Sequence, residues 1–163
     1  MKRFVVVDGY NLILRDPVLA PISQRSLQTA REALLARLLS SYDLRACDLT
    51  VVFDGQGATE TTDRWGKIRV IYSRFGQSAD EVIARLATET KDPSQLVVLS
   101  DDRAVRGSAT RAGGVAAGSA DRRQPTAAAK PDDLDAPRTG SNKKGNPRRA
   151  PKPKRDRGDG FRW

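Results

Sequence analysis

The chain has 163 residues, with 29 Lys+Arg against 20 Asp+Glu, one cysteine and no histidine, a length that suits one domain with a modest appendage. Without histidine there is no Ser-His-Asp or Cys-His nucleophile pair, no imidazole acid–base couple and no histidine-ligated zinc. A lone Cys47 excludes an intramolecular disulfide and a multi-thiolate metal site, so any catalysis rests on carboxylates, hydroxyls, amides, Lys or Arg, or on a hard metal held by oxygen. The net charge of +9 is unevenly placed: residues 1–118 carry 16 basic and 14 acidic side chains, residues 119–163 carry 13 and 6. Apolar residues number 53 in the first segment and 9 in the second. Burial in the second segment cannot offset the entropy of ordering it, which predicts a globular domain over 1–118 and a disordered basic tail, rich in Pro, Ala, Arg and Lys, over 119–163.

In chain order, Phe4-Val5-Val6-Val7 is a β-branched run that reads as a buried strand ending in a turn at Asp8-Gly9. The same two residues cut the apolar start short of a secretory signal, and no run approaches the roughly 18 residues of a bilayer span. A cytoplasmic, reducing location and no membrane association are therefore expected. From Ser26 to Tyr42, apolar residues including Leu27, Leu34, Leu38 and Leu39 recur at helical spacing, with Arg31 and Arg37 on the opposite face. Leu49–Phe53 is a second strand closed by Asp54-Gly55, and Gln56–Gly66 reads as polar and flexible. Ile68–Tyr72 alternates as a third strand; Ser78-Ala79-Asp80-Glu81 is a capping box that starts a helix. Leu96–Leu99 is a fourth strand ended by Ser100-Asp101-Asp102, a short helix runs to about Arg111, and Val115–Ala117 is a weak fifth strand.

Strands alternating with amphipathic helices predict an α/β fold with a central, mostly parallel sheet covered on both faces. In such a sheet the strands' C-terminal ends share one edge, where ligands bind. Asp8, Asp54 and the Asp101-Asp102 pair directly follow three strands, and Asp80 lies in the first turn of a helix entering from that edge. Each acid also has a structural reading: Asp8 and Asp54 as turn residues before glycine, Asp80 as a complement to the helix dipole, Asp101 as an N-cap, and Asn11 as a turn cap. Independent turn acids, however, have no reason to gather on one edge. Gathered carboxylates repel, so they call for protonation or a cation, and oxygen-only donors favour magnesium or manganese. An ion of that kind polarises a phosphate and activates water, which is phosphodiester hydrolysis without histidine.

Val5-Val6-Val7-Asp8-Gly9-Tyr10-Asn11, Val52-Phe53-Asp54-Gly55, Val70-Ile71-Tyr72-Ser73 leading to Ala79-Asp80-Glu81, and Val98-Leu99-Ser100-Asp101-Asp102 together resemble the YacP-like branch of the NYN domains, relatives of PIN-fold nucleases, over roughly residues 1–112. The resemblance implies a PIN-like three-layer fold and a metal-dependent endoribonuclease that uses Mg2+ or Mn2+ and an activated water. Asp8, Asp80 and Asp101 or Asp102 match the family's metal-binding carboxylates, and Asn11 matches the asparagine beside the first. Asp54 and Glu81 fall in the matched blocks as further metal candidates. After Arg111 the sequence departs from the family, whose members continue with a strand and a helix, whereas Gly113–Asp121 is small and weakly hydrophobic. Asp54-Gly55-Gln56 also touches the haloacid-dehalogenase phosphatase motif, but Gln56 stands where that motif needs a second aspartate.

Arg64, Trp65, Lys67, Arg74 and Arg103, with Phe75, supply the cationic and aromatic groups that suit single-stranded RNA; for Trp65 the stronger reading is an anchor that ties its loop to the domain. In the tail, Lys143, Lys144, Arg148 and Arg149 suit nucleic-acid phosphates through counterion release, or form a solubilising extension. The expected partner is single-stranded or messenger RNA, with ribosome association a further option. The alternatives to a nuclease are a noncatalytic RNA-binding adaptor and, less well matched, a small-molecule phosphatase.

Overall fold

Six strands form one sheet in the computed structural model, which describes residues 2–121. The strands are β1 (Arg3–Asp8), β2 (Cys47–Phe53), β3 (Thr61–Trp65), β4 (Ile68–Tyr72), β5 (Leu96–Leu99) and β6 (Val115–Ala117). Their order is β3-β4-β2-β1-β5-β6, with every neighbouring pair parallel except β3 and β4. The helices are α1 (Gly9–Arg15), α2 (Leu19–Arg25), α3 (Leu27–Ser41), α4 (Ala79–Glu89) and α5 (Arg103–Arg111). Unbroken apolar runs make the central strands because both faces are covered: Val5 and Val7 enter a core with α1, α2 and α3, whereas Val6 enters one with α4 and α5. The result is the expected three-layer α/β fold.

The structure revises three sequence expectations. Thr61–Trp65, read as part of a flexible segment, is an antiparallel edge strand. Its first four residues are exposed, so no apolar alternation betrays it; its register comes from a two-residue hairpin in which Gly66 takes a φ of 61°. Asp8-Gly9 and Asp54-Gly55 are not turns that need a left-handed glycine, because neither glycine has a positive φ. Instead α1 begins at Gly9 itself, capped by Asp8. The third revision is in α3, where Leu27 and Leu39 are 48% and 43% exposed, while Arg31 and Arg37 are engaged in contacts across the layer. The weak strand at Val115–Ala117 does form and extends the sheet beside β5. The tail residues expected to be disordered lie, from 122 onward, outside the described residues.

Asp16, which no sequence pattern singles out, is a buried structural acid. One oxygen accepts from the amides of Val18 and Leu19 at 2.7 and 3.0 Å, and the other meets Arg37 Nη1 at 2.7 Å, tying α1, α2 and α3 together. Replacing Asp16 by Ala leaves those donors unmatched and is expected to cost about 2–3 kcal/mol, a fall in Tm of about 8 °C in a thermal melt. Among the described residues no helix is long and apolar enough to cross a membrane.

Candidate active site at the acidic sheet edge

Parallel register carries the candidate residues to one edge. Val7 pairs with Val51 and Leu99, and Phe53 pairs with Tyr72, so Asp8, Asp54, Ser73 and Ser100 each lie at or just past a strand's C-terminal end. Side chains alternate along a strand, and Val7, Phe53 and Leu99 point into the α1–α3 core. The residues that follow them therefore point toward α4 and α5.

Asp8 is 5% exposed, and Ser100 Oγ, itself buried, donates to its Oδ2 at 3.2 Å. The amide of Asn11 approaches the other oxygen at 3.5 Å. Burial first, and then the charge of Asp80, push the Asp8 carboxyl up to about 6; the Asn11 and Ser100 hydrogen bonds oppose that rise, and Asp54 adds to it. Asp80 stands in the first turn of α4 and is also raised, by burial and then by the charges of Asp102, Asp54 and Glu81. Asp8, Asp54, Asp80, Asp102 and Glu81 thus form one electrostatically coupled set.

Several of these acids also hold the frame. Asp54 Oδ1 accepts from the Ala79 amide at 2.7 Å and fixes where α4 begins. Glu81 completes the capping box by accepting from the Ser78 amide. Asp102, not Asp101, caps α5, accepting from the amides of Ala104 and Val105 at 2.7 and 3.4 Å. Asp101 is engaged with the segment after β6: its Oδ1 accepts from the Ser119 amide at 2.9 Å, and a Cβ on Gly118 would lie 2.8 Å from that oxygen. Asn11 Oδ1 accepts from the Asp101 amide at 2.9 Å, which ties the start of α1 to the β5–α5 loop. Of the two alternatives left open by the sequence, Asp102 is therefore the one whose charge reaches Asp80.

Among the described residues no three acids form a ready-made metal cage. The donor set still fits a hard cation: it is all oxygen, mutually repelling and partly buried, and magnesium commonly keeps several waters while taking only one or two carboxylates. The first turns of α4 and α5 flank the set, and helix N-termini favour negative charge.

The proposed RNA-facing groups divide. Arg64, Lys67, Arg74 and Arg103 are exposed. Trp65 is partly buried against the α1–α3 core. The β2–β3 loop is pinned by the Glu60–Arg85 ion pair at 2.7 Å and by the Phe75 amide donating to Gly57 at 2.7 Å, while the Phe75 ring stays 79% exposed. Lys143, Lys144, Arg148 and Arg149 lie outside the described residues. The sequence reading missed Ser100, although a polar residue directly after an apolar strand is its signal. It also missed Arg31, which α3 places over the rings of Phe53 and Tyr72 at 6.0 and 5.6 Å. Tyr10 packs on Phe53 with ring centroids 5.1 Å apart.

Comparison with known proteins matches this architecture. The profile of the YacP-like NYN domain covers residues 5–146, running past both Gly118 and the described residues. The chain is 29% identical over 85 residues to the uncharacterized protein YacP of Bacillus subtilis (strain 168); the match takes in 51% of this chain and 50% of that protein, so it spans about half the relative's length. A crystal structure of a single-substitution mutant of Rae1 (YacP) from Bacillus subtilis superimposes with a TM-score of 0.60 at 25% identity, over 75% of this chain and 72% of that one. A second Rae1 (YacP) crystal structure gives a TM-score of 0.59 at 24% identity, over 72% and 69%.

Proposed function

The chain belongs to the YacP-like NYN domain family, a family of generally nuclease proteins on a PIN-like fold, and from that premise we propose that it is a metal-dependent endoribonuclease acting in the cytoplasm on single-stranded or messenger RNA. The observation that carries this reading is the coupled acidic edge, where a carboxyl is pushed up to about 6 chiefly by its own burial and then by the charge of a neighbouring acid. A protein rarely keeps such repulsion without use for it.

Asp8, Asp80 and Asp102 would hold Mg2+ or Mn2+, with Asp54 beside them; when bound, the ion supplies charge neutralisation at the phosphate and acidifies water. The chain's own groups have defined tasks. Ser100 and the Asn11 amide fix the rotamer of Asp8. Asp54 sets the origin of α4 and so the height of Asp80 above the sheet. Asn11 and Asp101 brace the loop that presents Asp102.

The test is cleavage of a labelled single-stranded RNA by the full chain in magnesium or manganese, with and without excess EDTA. Cleavage is expected to stop on chelation; cleavage that continues in EDTA, or in Asp80→Asn, overturns the mechanism. The absence of a three-acid cage among the described residues favours a second reading, a noncatalytic RNA-binding adaptor. RNA binding without cleavage in either metal would establish it.

A further inference from the structure

Resting on the nuclease reading, we propose that Arg31 is a substrate-positioning residue, whose guanidinium takes the RNA phosphate adjoining the one cut, between the rings of Tyr10 and Tyr72. An edge built from Asp8, Asp54, Asp80 and Asp102 repels a polyanion, because charges near a protein surface are only partly screened by water. A bound ion answers the phosphate that is cut; the neighbouring phosphates of the same strand call for a fixed cation at the same edge.

Arg31 stands at that edge on its α3 side, across the sheet from the α4 and α5 side to which the acids point. It projects from α3 over Phe53 and Tyr72, the last residues of β2 and β4, and Phe53 directly precedes Asp54. Phe53 is fully buried, so the surface at this corner is made by Arg31, Tyr10 and Tyr72, each partly exposed. Tyr10 lies two positions after Asp8, in the first turn of the helix that Asp8 caps, and its ring packs on Phe53 with centroids 5.1 Å apart, which sets the basic-aromatic corner beside the start of the acidic edge.

Among the described residues Arg31 makes no ion pair, in contrast to Arg37 and Arg85. Its own contacts are cation–π attraction and one hydrogen bond from Nε to the Leu27 carbonyl at 3.3 Å. Cation–π attraction engages the face of a guanidinium and leaves in-plane N–H donors for a phosphate, and the flanking tyrosines offer ring surface to a base. A substrate with a single phosphate ester would gain nothing from this corner, so the proposal also separates a strand-cutting enzyme from a phosphatase.

The experiment compares the full chain with Arg31→Met, which keeps the length of the side chain, and Arg31→Lys, which keeps its charge. In Arg31→Met the Kd for a single-stranded RNA oligomer in EDTA is expected to rise about tenfold, and the slope of log K against log salt to flatten by about 0.7, one phosphate. With magnesium or manganese, KM is expected to rise about tenfold while kcat stays within about twofold, and Arg31→Lys to restore the salt slope. An unchanged Kd and slope, or a fall in kcat at constant KM, overturns the assignment while leaving the nuclease reading in place. A wild-type chain that neither binds nor cuts RNA overturns both. Should Arg31→Met fail to fold, Arg31→Gln gives the same slope measurement.

Discussion

Asp8→Asn is expected to make the metal-free protein more stable at pH 8 while reducing RNA cleavage at least about 100-fold, on the scale seen when a metal site is disturbed. The two effects share one cause. In the folded chain the Asp8 carboxyl sits at about 6 against 3.8 for an ordinary aspartate. Between those values the native state binds more protons than the unfolded state, so Asp8 costs nothing below about pH 4, and its destabilisation grows as pH rises through 6 and is complete above it. The displacement corresponds to about 3 kcal/mol. The Asn11 and Ser100 hydrogen bonds to the ionised form are already contained in that displacement, so the neutral amide is expected to gain about 3 kcal/mol above pH 6, or a Tm higher by about 10 °C. Thermal melts in EDTA from pH 4 to pH 8 check this: the gap between variant and wild type should open with rising pH and vanish near pH 4. A variant no more stable than wild type at pH 8 would show that the buried charge is not uncompensated. A stable but inactive Asp8→Asn would mark a site that gives up stability for function.

Much of this edge is legible in the sequence, for a physical reason. A strand buried on both faces must be apolar throughout, so Val5–Val7, Leu49–Phe53 and Leu96–Leu99 announce themselves, and parallel pairing then puts whatever follows them on one edge. Asp8 and Asp54 are located by that logic alone. The division of labour between Asp101 and Asp102 is not, because adjacent residues are equivalent in pattern and differ only in which amides lie ahead: Ala104 and Val105 for one, Ser119 for the other. Arg31 and Arg37 satisfy helical periodicity as solvent residues. Their roles depend on what crosses above them, the aromatic ends of β2 and β4 and the buried Asp16, and helical spacing carries no record of that. β3 is invisible for the converse reason: an exposed edge strand held by a hairpin needs no hydrophobic alternation.

The glycine after Asp8 gives the second large effect. In an Asp-Gly pair the sequence suggests backbone freedom, and then Ala would be nearly tolerated wherever φ is negative. Gly9 has no positive φ, yet a Cβ there would sit 2.2 Å from Cε1 of Phe53 and 2.5 Å from its Cδ1. That ring is 0% exposed and cannot retreat, because Tyr10 packs on it at 5.1 Å, Tyr72 stacks at 5.7 Å, and Arg31 lies over it. Gly9→Ala is therefore an overpacking substitution, expected to cost about 3 kcal/mol and about 10 °C in Tm. Phe53→Leu alone should cost about 1–2 kcal/mol through lost packing, but it removes the ring atoms that the new methyl strikes. The double variant should then be more stable than the two single losses added together predict, by about 1–2 kcal/mol of coupling in a denaturant-melt cycle. Additive losses would mean that Gly9 is demanded by the backbone after all. Coupled losses would mean that this glycine exists so that the Phe53 ring can lie flat beneath the corner where Arg31, Tyr10 and Tyr72 meet the carboxylates.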